Sequence, residues 1–139
     1  MSTDQPIRRF CLLRHAPGPA NAEIGTHWDL LIESASGAAL WAWRLAEDPT
    51  AGAASLACER NADHRPVYLT FSGELSDRRG CVERVDGGVV SVRPSDDGLW
   101  LCFEGEALNG AYSLQPADGV GRFTRAGGLP GAGRKSAIP

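Results

Sequence analysis

The chain has three histidines, His15, His27 and His64, and the second heads the stretch with most chemical content. His27-Trp28-Asp29-Leu30-Leu31-Ile32-Glu33, introduced by Gly25-Thr26, reads as a β-strand whose side chains alternate between two faces. Trp28, Leu30 and Ile32 fall on an apolar face suited to a core. His27, Asp29, Leu31 and Glu33 fall on the other. An imidazole and a carboxylate two residues apart on one face lie about 6.5–7 Å apart along the strand, close enough to reach one cation. A ligand from a neighbouring strand would complete a two-His, one-carboxylate site with open positions. His15, at the end of the preceding apolar run, is the candidate. The same H-x-D pair also suits a polar, solvent-facing strand side with a simple His–Asp hydrogen bond.

His64 lies in Asn61-Ala62-Asp63-His64-Arg65-Pro66, a polar stretch expected to be a loop because Pro66 cannot donate to a central ladder. An imidazole there can serve as general acid, base or phosphate donor, since it titrates near working pH. It can equally be an exposed loop residue without a role.

The elements that must position these groups are strands. Ile7 to His15 is an apolar run stopped by Pro17-Gly18-Pro19, followed by a loop with one helical turn around residues 20–24. After Glu33, the Ser34-Ala35-Ser36-Gly37 turn predicts a hairpin to a strand over residues 38–44. Further strands are expected over 54–60, 67–75, 80–85, 89–93, 99–104 and 111–115. Gly/Asp/Asn turns separate the later ones, at Asp86-Gly87-Gly88, Asp96-Asp97-Gly98, Gly105, Asn109-Gly110 and Asp118-Gly119. Short strands with turns at about 8–12-residue spacing indicate a sandwich or barrel. No segment holds a 3.6-residue apolar period over three turns, so the expected fold is all-β or nearly so.

Composition sets the outer limits. The 139 residues suit one domain with a real core. Residues 1–6 read as a disordered N-terminus, 7–125 as the barrel and 126–139 as a flexible Gly/Pro/Ala-rich basic tail. No apolar run approaches the ~20 residues of a membrane span, and the N-terminus lacks a secretory signal. Cys11, Cys58, Cys81 and Cys102 form no C-x-x-C pair and each sits in an apolar run. Buried free thiols and a reducing, cytoplasmic setting are expected, as is a monomer. The net charge of −3 argues against a general nucleic-acid coat, yet residues 119–139 carry Arg122, Arg125, Arg134 and Lys135 and no acid. That run either attracts phosphates or only solubilises the tail.

Taken in order, Arg14-His15, His27-Trp28-Asp29-Leu30-Leu31-Ile32-Glu33, Gly37-Ala38-Ala39-Leu40-Trp41-Ala42, Leu56-Ala57, Asp63-His64 with Tyr68, Phe71-Ser72-Gly73, Gly80-Cys81-Val82 through Asp86-Gly87-Gly88, and Leu108-Asn109-Gly110-Ala111-Tyr112-Ser113-Leu114 resemble a known family. It is the 3′-phosphoesterase domain of bacterial ligase-D proteins, multifunctional enzymes of double-strand-break repair, and the likeness runs from about Phe10 to Gln115. The resemblance implies a compact β-barrel of about eight short antiparallel strands with little helix, a phosphoesterase using Mn²⁺ or another divalent metal such as Zn²⁺. It places metal ligands at His15, His27 and Asp29, and scissile-phosphate contacts at His64 and Tyr68. The implied substrate is a nucleic-acid 3′ end or another phosphate ester, with DNA end-joining repair proteins as partners. Two positions depart from the family. Leu31 stands two residues after the metal-binding Asp, where the family usually has Arg, and Ser55 takes the place of a second Arg. The turn after Phe71-Ser72-Gly73 is shortened to residues 74–79. Arginine grips phosphate by a planar fork that Leu and Ser cannot supply. The alternative is therefore a catalytically weakened or inactive metal-binding barrel, serving as a nucleic-acid-binding or accessory module in repair. Arg65, Arg78 and Arg79 are the candidates for replacement charge.

Overall fold

Strand β1 (Ile7–Ala16) is the hub of the molecule, because it pairs antiparallel with two strands at once. On one side it meets β2 (His27–Glu33), which leads through β3 (Leu40–Leu45), β4 (Ser55–His64), β9 (Val120–Arg125), β8 (Asn109–Gln115) and β7 (Leu99–Gly105) to β6 (Cys81–Pro94). On its other side it meets β6 itself, and the sheet closes into an eight-stranded antiparallel barrel. A two-residue strand, β5 (Gly73–Glu74), pairs with β6 outside the ring. This is a computed structural model, and it describes residues 7–126. The N-terminal disorder expected for residues 1–6, and all of the expected tail after Ala126, lie outside the described residues. The described helical turns are the short 3₁₀ segments Pro19–Ile24 and Pro66–Leu69, and none of the described helices is long and apolar enough to cross a membrane.

Period-2 alternation decides what the barrel encloses. Phe10, Leu12, Leu30, Ile32, Trp43, Leu45, Val90, Val92, Leu101, Phe103, Tyr112, Leu114 and Phe123 form one buried cluster, with Trp28 and Trp41 packed against it. Trp28, Leu30 and Ile32 thus face the core as their spacing requires. The opposite face of β1, β2 and β3 is not solvated. There Cys11, Leu13, Leu31, Leu40, Ala42, Leu69 and Val82 make a second buried cluster, roofed by Tyr68, Phe71 and Leu75. Both faces of these three strands are therefore covered, and Leu30-Leu31-Ile32 is a continuous apolar run for that reason.

Several expectations from sequence are corrected. Residues 67–75 are not one strand, and within them only Gly73–Glu74, as β5, pairs. Pro66 starts a 3₁₀ turn, its fixed φ suiting a first helical position, and the apolar residues after it roof the second cluster. Residues 61–64 belong to β4, so His64 ends a strand opposite Leu40, across a bulge, rather than sitting in a loop. Asp86-Gly87-Gly88 is no turn: β6 runs through it for 14 residues. The register against β1 skips Val85 between the pairs Leu13↔Arg84 and Leu12↔Asp86, a bulge that turns Asp86 inward. Gly88, at φ 156, lies so close to β7 that a Cβ would come within 2.2 Å of the Glu104 carbonyl oxygen. Asn109-Gly110 begins β8, and residues 106–108 make the turn. All four cysteines are free, but Cys81 and Cys102 are exposed, because they sit on outward positions of barrel strands. Arg122 and Arg125 lie in β9, so half of the basic run is barrel rather than tail.

Candidate metal centre and its pocket

One end of the β1–β2 ladder brings the first two histidines together. His15 and His27 are directly opposed, with ring centroids 4.7 Å apart. Asp29, two residues on, shares their face. Its carboxylate lies 3.8 Å from His15 Nδ1 and 3.5 Å from His27 Nε2. One ligand atom from each residue falls within 4.8 Å of the others. His27 and Asp29 are each only 4% exposed.

The far ring nitrogens are already engaged. His27 Nδ1 lies 2.9 Å from the Gly25 carbonyl and His15 Nε2 lies 2.9 Å from the Arg79 carbonyl. A carbonyl only accepts, so those nitrogens carry the protons, an assignment made from the hydrogen-bond network. The inward nitrogens of the neutral rings then present lone pairs toward an anionic carboxylate. Three acceptors converge without a donor among them, and Asp29 Oδ1 has no hydrogen-bond partner. The deficit can be met by a cation or a proton. Burial alone would push the His27 imidazole down, but Asp29 and the Gly25 carbonyl outweigh it and hold it above its ordinary value. Two imidazoles and a carboxylate suit Mn²⁺, Zn²⁺ and related divalent ions, and carbonyl-anchored far nitrogens are the usual support for metal-binding histidines.

The anchor on His15 is built with effort. Asp77 and Arg78 both have φ of 59, a left-handed conformation unfavourable for non-glycine residues. The turn is pinned by Ala20 N–H to the Arg78 carbonyl at 2.9 Å and Leu75 N–H to the Gly80 carbonyl at 2.7 Å. Gly80 fits because a Cβ there would come within 2.0 Å of the Ala16 carbonyl oxygen. The turn thus delivers the Arg79 carbonyl to the end of β1.

A cavity of about 430 Å³ opens over the cluster, lined by His15, His27 and Asp29 and also by His64 and Tyr68. All five residues singled out in the sequence therefore share one cavity. His64 Nδ1 is held by the Ala62 carbonyl at 2.9 Å, and its ring packs edge-on to Tyr68 at 5.7 Å between centroids. Asp63 also lines the cavity but is paired with Arg60 at 2.7 Å. Around these stand cations. Arg65 lies over the Tyr68 ring at 5.7 Å, and Arg79 and Arg44 complete the wall.

Arg44 is the residue that sequence reasoning missed. It lies directly across β3 from Asp29, and its Nε is buried without a hydrogen-bond partner. Its place follows from the hairpin register, which the sequence does not give: the Ser34–Ala39 closing bond puts residue 44 opposite residue 29. Leu31 and Ser55, by contrast, are not in the cavity wall. Leu31 is fully buried in the second apolar cluster. Ser55 is at the far end of β4 from His64, bonded to Thr124 and Arg122. No protein-family model matches the chain, and no curated protein matches it.

Proposed function

We propose that the protein is a divalent-metal-dependent phosphoesterase of the ligase-D 3′-phosphoesterase type, acting in the cytoplasm on nucleic-acid 3′ ends in DNA end repair. The observation that carries this reading is the pairing of a donor-free His15–His27–Asp29 cluster with a wall of cationic donors in the same cavity. A divalent ion, when bound, polarises a phosphoryl oxygen and orients the attacking nucleophile. Arg44 and Arg65 are placed to take up charge on the non-bridging oxygens. His64, with Nδ1 donating to the Ala62 carbonyl, lines the same cavity, where Nε2 as an acceptor can take a proton from the attacking water. Tyr68 orients the phosphate beside it.

The test is calorimetric titration with Mn²⁺ and Zn²⁺, followed by release of phosphate from a DNA primer with a 3′-phosphate. Wild type should bind the metal and turn over. His27→Ala should lose both, and His64→Ala should keep the metal and lose turnover. Metal affinity unchanged in His27→Ala would remove the site. A second reading is favoured by Leu31 and Ser55, which leave two phosphate-gripping positions of the family without arginine: a barrel that binds metal and nucleic acid as an accessory module. Metal binding without turnover in wild type selects it.

A further inference from the structure

The wall of the cavity that carries His64 is an irregular piece of β4. Asn61 and His64 are opposed to Ala42 and Leu40, so three steps along β4 match two along β3 and one residue is extra. In an unbroken strand, residues three apart point to opposite faces. His64 would then share the interior face with Cys58 and Arg60. The extra residue cancels that difference. It puts Asn61 and His64 on the face of Leu40 and Ala42, and residues 61–65 all line the cavity. The bulge also fixes the ring, with Nδ1 donating to the Ala62 carbonyl at 2.9 Å.

A bulge needs something to hold it, because it takes backbone groups out of the ladder. Arg60 supplies this from the other side of the strand. It opposes Trp43, and its guanidinium lies over that buried ring at 5.1 Å from the centroid. Nη1 donates to the carbonyls of Asn61 and Ala42, the latter at 3.2 Å, and Nη2 donates to Asp63 Oδ1 at 2.7 Å. One planar group thus grips the residues before and after Ala62, and the strand opposite. We infer that Arg60 is a positioning residue for His64: by holding the bulge around Ala62 it sets both the face that His64 occupies and the ring nitrogen that keeps its lone pair. Arg60 itself does not line the cavity. An ammonium in its place could reach Asp63 but not span both carbonyls as well. That this placement serves catalysis rests on the phosphoesterase reading; the placement itself does not.

The experiment compares the full wild-type chain with Arg60→Met, Arg60→Lys and Asp63→Ala, the last removing one acceptor of the fork at a half-exposed position. Imidazole nitrogen spectra of the metal-free proteins at about pH 8.5, where an ordinary imidazole is neutral, report which nitrogen of His64 carries the proton. His64→Ala identifies its signals. Wild type should show one tautomer, protonated at Nδ1. Arg60→Met should show a mixture of both, and Arg60→Lys and Asp63→Ala smaller admixtures. With Mn²⁺ and a DNA 3′-phosphate primer, kcat should fall about a hundredfold in Arg60→Met, as expected for a misplaced group. It should partly recover in Arg60→Lys, and Mn²⁺ affinity should not change. A lower melting temperature with the His64 tautomer unchanged in all three variants would make Arg60 merely structural and overturn the inference. If Arg60→Met does not fold, Asp63→Ala carries the same test. A changed tautomer with unchanged kcat would keep the placement and overturn its use in catalysis. Inactive wild type would bring down the phosphoesterase reading, while the tautomer comparison still decides whether Arg60 holds His64 in place.

Discussion

Two buried carboxylates in this barrel are finished to different degrees. Asp86 is 2% exposed and Asp29 is 4% exposed, so both have lost nearly all hydration. Asp86 is repaid by backbone. Its oxygens accept from the N–H groups of Gly87, Glu106 and Leu108 at 2.8, 2.9 and 2.7 Å, and from Ala107 at 3.3 Å. The bulge at Val85 turns it inward, and the turn after β7 closes on it. Asp29 has two imidazole nitrogens at 3.5 and 3.8 Å and Arg44 on the neighbouring strand, yet one of its oxygens has no hydrogen-bond partner. A carboxylate that ties a loop down is satisfied in the chain as it stands. One that awaits a cation is left short of donors, and that shortage marks the site more sharply than burial does.

The contrast can be broken by mutation. Asp86→Ala orphans several backbone donors at about 1–3 kcal/mol each, so a loss of about 4–6 kcal/mol in urea unfolding is expected, independent of metal. Asp29→Asn should leave metal-free stability within about 1 kcal/mol of wild type, since the charge it removes was poorly compensated. Equal damage from both would end the distinction. Leu31→Arg comes next. It shares the face of Asp29 but is packed among Cys11, Leu13, Leu40 and Leu69, so a guanidinium there is buried without a partner and should cost about 3–5 kcal/mol. An arginine at this position would therefore disrupt the roof over the second cluster. Circular dichroism melts read this directly.

Metal gives a smaller effect of opposite sign. At a hundredfold excess over its dissociation constant, Mn²⁺ or Zn²⁺ should stabilise wild type by about 2.7 kcal/mol and Asp29→Asn hardly at all. The smallest effect belongs to a third carboxylate, Glu33, at the far end of β2. Arg9 holds it by a side-chain bond at 2.7 Å and a backbone bond at 2.8 Å. That side-chain bond chiefly keeps its carboxyl below the ordinary value of 4.5, while burial pulls the other way. The sign follows: its contribution is present above pH 4.5 and is lost as pH falls through the lowered value. Glu33→Gln should thus be slightly less stable at neutral pH and converge with wild type in acid. An exposed pair of this kind is weakly coupled, and a difference as large as that of Asp86→Ala would mean solvent matters less here than supposed.

What could be read from sequence followed from period and local spacing. The H-x-D strand, its inward Trp28, Leu30 and Ile32, and the partnership with His15 all come from alternation within one hairpin. The beat of turn residues indicated an all-β sandwich or barrel, and the closure of β1 onto β6 was not in it. Long-range pairing was not legible. Asp-Gly-Gly is a turn signature in isolation, and only the approach of β1 and β7 makes it a bulged stretch inside β6. Residues 67–75 have a strand's composition, yet Pro66 and the need to roof Leu31 and Leu40 fold them back over the sheet. Arg44 was hidden by the lack of a register, and Asp86 by the lack of the turn that binds it.

Closure of β1 onto β6 has a last consequence. A ring of paired strands offers no long row of free amides and carbonyls, and in the described residues only β5, two residues long, lies outside it. Another chain cannot extend this sheet by strand addition, the commonest way for β-proteins to recruit a peptide and also to aggregate. Recognition has to pass through side chains at the barrel's surface, and the barrel can crowd against copies of itself without templating them.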